Sequence, residues 1–267
     1  MFYPSDATEL YAQVREYLPQ VLPRAAMAII APHAGYIYSG RIAGATFAHV
    51  EITPSVLILC PKHTANGSNT AIMNRGVWAI PGTQIPIDEA LADHLLAHLP
   101  DVSVDASAHA REHSLEVMLP FLSACRPDTR FVPLALGYRT LEDCQTLGYA
   151  LANALKNWSQ PVLIIASSDM NHQENLKTTL HKDQLAIDCI LQRDPAALYQ
   201  TCRQQDISMC GVIPATTVLY AAEQRDDIEI SLIAHSTSAD VTGDHQRVVG
   251  YAGMALYYRD KNEQTST

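Results

Sequence analysis

Apolar residues fall along this chain in two patterns: short continuous runs, and longer stretches in which they recur every three or four positions. The segments Ala25 to Ala31, Ser55 to Cys60 and Pro161 to Ala166 are almost wholly apolar. Such runs predict strands buried on both faces of a parallel sheet, where neither side of the pleat meets water. Helical spacing appears at Leu10, Tyr11, Val14, Tyr17 and Leu18, and again at Ile87, Leu91, Leu95 and Leu99. It predicts helices over 5–19 and 87–99, with others over 41–50, 141–158, 179–192, 195–204 and 215–223. Further strands are predicted at Val102 to Asp105, Phe131 to Leu136, Ile228 to Ala234 and Arg247 to Tyr258. Between 76 and 87, glycines and prolines break the apolar stretches into an irregular strand or hairpin. Strands that alternate with helices predict an α/β protein, a three-layer α/β/α sandwich.

The ends of the apolar runs carry the chemistry. The first stops at Pro32-His33, the second at Pro61-Lys62-His63, and the third at Ser167-Ser168-Asp169-Met170-Asn171-His172. Gly35 and Gly40 are expected to bracket a turn before a helix that begins at Arg41. In open α/β sheets ligands bind beyond the carboxyl ends of the strands, so three strand ends would deliver histidines to one rim. Two or three neutral imidazoles with one anionic ligand satisfy a divalent first-row metal ion. The anion could be Asp169, Glu116 or the thiolate of Cys210. Cys210 precedes Gly211 at a predicted helix start, where backbone N–H groups and the helix dipole favour a thiolate; its alternative is an inert buried thiol. If 109–116 is helical, His113 and Glu116 share a face. They would then orient a ligand or move a substrate proton, or else form a solvated surface pair. Tyr36 and Tyr38 fit either a pocket wall or the core. His94, His98, His109 and His181 are expected to be exposed, and His235 and His245 carry no assignment.

Composition narrows the classes. The chain has 267 residues, 48% of them hydrophobic and 17% charged, with a formal net charge of −10. That balance predicts one globular domain over 1–267 with a loose tail from Asp260 to Thr267. Clustered Lys and Arg for phosphate contacts are missing, which argues against nucleic acid as a partner. No apolar run reaches the roughly 18 residues of a membrane span, and no basic-then-apolar leader opens the chain, so a cytoplasmic location is expected. Six cysteines without a CxxC pair are expected to be reduced thiols. No GxGxxG, Walker A, HExxH or GxSxG motif is present.

With these residues in view, the chain resembles the Memo family, whose bacterial and archaeal members are called AmmeMemoRadiSam system protein B. The resemblance runs through Ala31-Pro32-His33-Ala34-Gly35-Tyr36, Pro61-Lys62-His63 and Glu112-His113-Ser114-Leu115-Glu116 with Leu119-Pro120. It continues through Ser167-Ser168-Asp169 with His172, Cys210-Gly211 and Tyr251-Ala252-Gly253. It implies a fold like that of class III extradiol dioxygenases, which hold Fe(II) on two histidines and a carboxylate. His33 and His63 match the metal histidines, Cys210 stands in the carboxylate's place, and His172 matches the acid/base histidine beside Asp169. A thiolate softens the site toward iron, copper or zinc. The implied function is a metal-dependent oxidoreductase on an unidentified small-molecule or peptide ligand, with Asp169, His113 and Glu116 orienting the site. A binding protein using the same pocket without catalysis, and a zinc hydrolase, are the other readings. The family name implies AMMECR-like and radical-SAM partners.

Overall fold

The computed structural model describes residues 2–259; the tail expected to be loose lies outside them. In chain order the elements are α1 (Ala7–Tyr17), β1 (Ala26–Ala31), α2 (Tyr36–Ala48), β2 (Ser55–Pro61), β3 (Thr70–Ile72), β4 (Val77–Ile80) and β5 (Thr83–Pro86). Then come α3 (Glu89–His98), β6 (Ser103–Val104), α4 (His113–Glu116), α5 (Leu119–Cys125), β7 (Arg130–Leu136), α6 (Leu141–Lys156) and β8 (Val162–Ser167). The chain continues through α7 (Leu176–Leu191), α8 (Pro195–Gln204), α9 (Val212–Glu223), β9 (Ile228–Thr237), α10 (Ala239–Thr242) and β10 (Gly250–Tyr258). No helix among the described residues is long and apolar enough to cross a membrane.

Eight strands form a sheet in the order β6-β3-β7-β2-β8-β1-β10-β9, and β4 pairs with β5 in a separate hairpin. The centre, β7-β2-β8-β1, is parallel. Its strands read as unbroken apolar runs because each face is covered. Along β2, Val56, Ile58 and Cys60 point into one core, and Leu57 and Leu59 into the other. The first core packs α1, α2, α4 and α5 on the sheet; the second packs α3 and α6 to α9, giving the three layers. The closing strands β9 and β10 are consecutive, joined without a crossover, and so pair antiparallel, and β10 also lies antiparallel to β1.

Several boundaries depart from the pattern-based expectation. The helix expected from Arg41 begins at Tyr36, so Gly40 lies inside it. A Cβ at Gly40 would sit 2.4 Å from the Tyr17 ring, and one at Gly44 would sit 2.3 Å from the Tyr17 carbonyl oxygen. These glycines let α1 and α2 approach closely, a role that local turn signals do not reveal. The strand expected at 102–105 shrinks to two exposed residues at the sheet edge. His109, expected to be exposed, is buried at 5% exposure, its ring edge-on to Trp78.

Alanine is favoured over glycine inside a helix by about 1 kcal/mol. Backbone cannot yield as a side chain can, so Gly44→Ala is expected to destabilise despite that, by about 1–3 kcal/mol in urea unfolding. Burial pushes the His109 imidazole from 6.5 down to about 4. The unfolded chain therefore binds a proton that the folded chain refuses between those values. Stability from this group is complete above pH 6.5 and is lost as pH falls toward 4, by about 1.4 kcal/mol per pH unit crossed. His109→Gln should flatten that acid limb in unfolding curves taken across the window.

Candidate metal centre

Adjacent parallel strands β2, β8 and β1 end side by side, and the residues just past them meet. One ligand atom from each of His33, His63 and Cys210 lies within 4.8 Å of the other two. His33 Nε2 is 3.3 Å from Cys210 Sγ. Asp169, His172 and Cys210 form a second such group, and His63, Glu112 and His113 a third. His33 and Asp169 make the floor, at 2% and 5% exposure, while the His63 side chain is one-third exposed at the rim.

Each strand end is braced to hold its side chain. Asp169 Oδ1 accepts from the backbone N–H of His33 at 2.8 Å and of Ala34 at 3.2 Å, tying the loop after β1 to the end of β8. Cys210 arrives from the opposite layer. A Cβ at Gly211 would lie 2.3 Å from the Ser167 carbonyl oxygen, so only glycine lets the start of α9 press this closely on β8. Gly211 N donates to Ser168 Oγ at 2.9 Å, and Asp169 N donates to Cys210 Sγ at 3.2 Å.

Hydrogen bonds fix which ring nitrogen of each histidine is free. Ser167 Oγ donates to the Ser114 carbonyl, so it accepts from His33 Nδ1–H at 2.7 Å. The Glu112 carboxylate accepts from His63 Nδ1–H at 2.8 Å, and the Ser208 carbonyl from His172 Nδ1–H at 3.0 Å. In the neutral rings this leaves the Nε2 lone pair of all three available to a metal or a proton. Burial pushes the His33 imidazole down to about 4, so it is neutral and ready to ligate at pH 7. Burial also lowers His113, aided by nearby His63. The Cys210 thiol is raised well above its ordinary value by burial, then by the Asp169 charge, against the helix-start effect expected from sequence. In the metal-free protein the thiol thus keeps its proton at neutral pH.

His113 and Glu116 do not share the site. The His113 ring stacks on His63 at 4.8 Å and on Phe2 at 4.3 Å, making one wall. Glu116 instead accepts a hydrogen bond from the Tyr3 hydroxyl and is an exposed brace for the N-terminal segment. Of the two glutamates flanking His113-Ser114-Leu115, the one that reaches the centre is Glu112, whose side chain is fully buried. It accepts from His63 N at 2.6 Å, His63 Nδ1, Ser114 N at 3.1 Å and Ser114 Oγ at 2.7 Å. Burial alone would raise its pKa; these hydrogen bonds outweigh it and hold the carboxyl down at about 2. The available signal was only that Glu112 adjoins His113; it caps α4 although glutamate is not among the residues favoured at an N-cap. Ser167, Ser208 and Phe2 offered no comparable signal. Tyr36 belongs to the core, with its hydroxyl donating to the Val117 carbonyl. Of the remaining histidines, His98 and His181 are exposed and His94 is half-buried. His235 Nε2 lies 2.8 Å from buried Asp183.

Comparison with known proteins gives the family and the fold. Residues 1–255 match the family described as Memo-like protein. A MEMO1 family protein of Pyrobaculum aerophilum is 36% identical over 271 residues, covering 97% of this chain and 96% of the relative. One from Thermotoga maritima is 35% identical over 273 residues, covering 96% and 97%. In fold the chain is similar to an uncharacterized protein of Escherichia coli K12, with a TM-score of 0.55 at 15% identity over 86% of this chain and 98% of that one. With its strand-end histidines and the cysteine facing them, the chain belongs to the Memo family.

Proposed function

We propose that this protein is a metal-dependent oxidoreductase that holds one divalent first-row ion, iron in the first place, on His33, His63 and Cys210. The observation that carries the reading is the convergence of two imidazole nitrogens and a sulfur within 4.8 Å of one another. Metal bonds of about 2.0–2.3 Å set such donors roughly 3–4 Å apart, so the side chains fit with small adjustments. The soft sulfur also suits copper or zinc. A redox-active ion held there would supply one-electron chemistry, with dioxygen as the oxidant that the dioxygenase-like resemblance implies.

The chain's own groups have separable tasks. Ser167 and Glu112 orient the two imidazoles by occupying their Nδ1–H groups. Asp169, bound through Oδ1 to the loop after β1, keeps Oδ2 4.0 Å from His33 Nε2 and faces the ligands with negative charge. His172 lies with Asp169 and Cys210 in one donor group, its Nδ1–H held by Ser208 and its Nε2 available to take or return a proton. That proton would come from the Cys210 thiol if a metal is bound there, or from a substrate. Phe2 and His113 present an apolar, stacked edge beside the open rim at His63.

Elemental analysis of freshly purified protein is expected to give about one metal ion per chain for the wild type and close to none for His33→Ala. Full stoichiometry in that variant would exclude these ligands. Glu112→Gln keeps the shape but removes the charge that His63 Nδ1–H addresses. It should weaken metal affinity by roughly 10–100-fold in a chelator competition, with the far-UV CD spectrum unchanged.

A further inference from the structure

Buried charge that the metal centre does not use is found at the carboxyl end of β7. The chain leaves β7 through Gly137, Tyr138 and Arg139 and enters α6 at its N-cap, Thr140. Gly137 N donates to the Asn69 carbonyl at 2.7 Å, and Asn69 Nδ2 to the Tyr138 carbonyl at 2.9 Å. A Cβ at Gly137 would lie 2.1 Å from Asn69 Oδ1, so the connection is pressed flat against the start of β3. Arg139 is thereby carried inside, at 6% exposure. It lines a cavity of about 480 Å³ with Ser68, Asn69, Thr70, Ser103 and Tyr138, and with Asp101 and Asp143 also on its wall.

The guanidinium is poorly matched by the protein. Nη2 donates to Thr70 Oγ1 at 2.6 Å, while Nε is buried with no hydrogen-bond partner. No ion pair within 4.0 Å forms between Arg139 and any carboxylate of the described residues. Exposed Arg24, Arg41, Arg75 and Arg225 and half-buried Arg126 each have one, whereas Arg139, the arginine that is buried among the described residues, has none. Asp143 feels the positive charge but is committed elsewhere: its Oδ2 accepts from Thr140 N at 2.9 Å in the capping box of α6. A guanidinium is a permanent cation whose planar fork matches two oxygens of one anion, and leaving it buried and unmatched is costly.

We propose that this cavity is a second ligand site, in which Arg139 binds a phosphate or carboxylate group of a small polar molecule. Thr70 keeps a hydroxyl hydrogen to give to the same anion after accepting from Nη2, and the 16-residue α6 turns its positive end toward the same corner. The site is separate from the metal ligands, yet it shares a loop with them. That loop runs from His63 to Asn69 and is held by Lys62 Nζ, which donates to the carbonyls of Gly67 at 3.0 Å and Ser68 at 2.9 Å.

The test uses the full metal-free chain, titrated with inorganic phosphate and separately with acetate, against sodium chloride at equal ionic strength, by thermal melting and calorimetry. At least one of the two anions should raise the wild-type melting temperature at millimolar concentration; phosphate alone would identify a phosphoryl ligand, and acetate a carboxylate. Arg139→Met should weaken that binding by roughly tenfold or more, and Arg139→Lys by less, because the point charge remains and the fork is lost. Should Arg139→Met not fold, Thr70→Val, which removes the hydroxyl paired with Nη2, should also weaken the anion. An unchanged anion response in the variants, or no response of the wild type up to ~10 mM of either anion, overturns the proposal.

Discussion

In a parallel sheet every strand points its carboxyl end the same way, and register decides which residues meet there. Ala31 lies opposite Ser167 across the β1–β8 pair, and Leu59 opposite Ala166 across β2–β8. That alignment puts His33, His63 and Asp169 on one rim within a side chain's length of each other. A slip of one residue would turn every side chain of a strand to the other face, so the two apolar cores on either side of the sheet enforce the register. The candidate metal centre is a consequence of core packing, because the same hydrophobic burial that stabilises the sheet brings its donor side chains together.

The second requirement is that polar groups brought into this packed rim be satisfied. Glu112 meets it: a fully buried carboxylate with hydrogen bonds from one histidine and one serine, each giving a backbone and a side-chain donor. Those bonds orient His63 and keep the carboxylate ionised. Asp169 is likewise bound by backbone N–H groups at one oxygen and free to face the ligands with the other. Arg139 sits on the same rim with a hydrogen bond to Thr70 but an unpartnered Nε and no ion pair, and that contrast with Glu112 motivates the proposed ligand site.

Glycines make the close approaches that bring separate layers to the rim. At Gly211 the need is space against the Ser167 carbonyl, with φ at an ordinary negative value; at Gly44 it is the Tyr17 backbone. Neither could be told from a turn glycine by local sequence. Gly40 shows the result, since it reads as a turn signal and proves to be a helix-packing residue.

Period and polarity along the chain determined the layers, the buried parallel strands and the polar residues that end them, because burial on both faces of a strand leaves an unbroken apolar run. Sequence also brought His33, His63, Asp169, His172 and Cys210 forward as a group, through recurrence at strand ends and family resemblance. Which carboxylate serves the centre was not legible: Glu112 and Glu116 flank the same histidine, and only the path of α4 turns one inward and leaves the other with Tyr3. The burial of His109 and Arg139, the free nitrogen of each imidazole and the protonated state of Cys210 were decided by tertiary structure. Each depends on desolvation and on partners distant in the chain, and neither is encoded in local spacing.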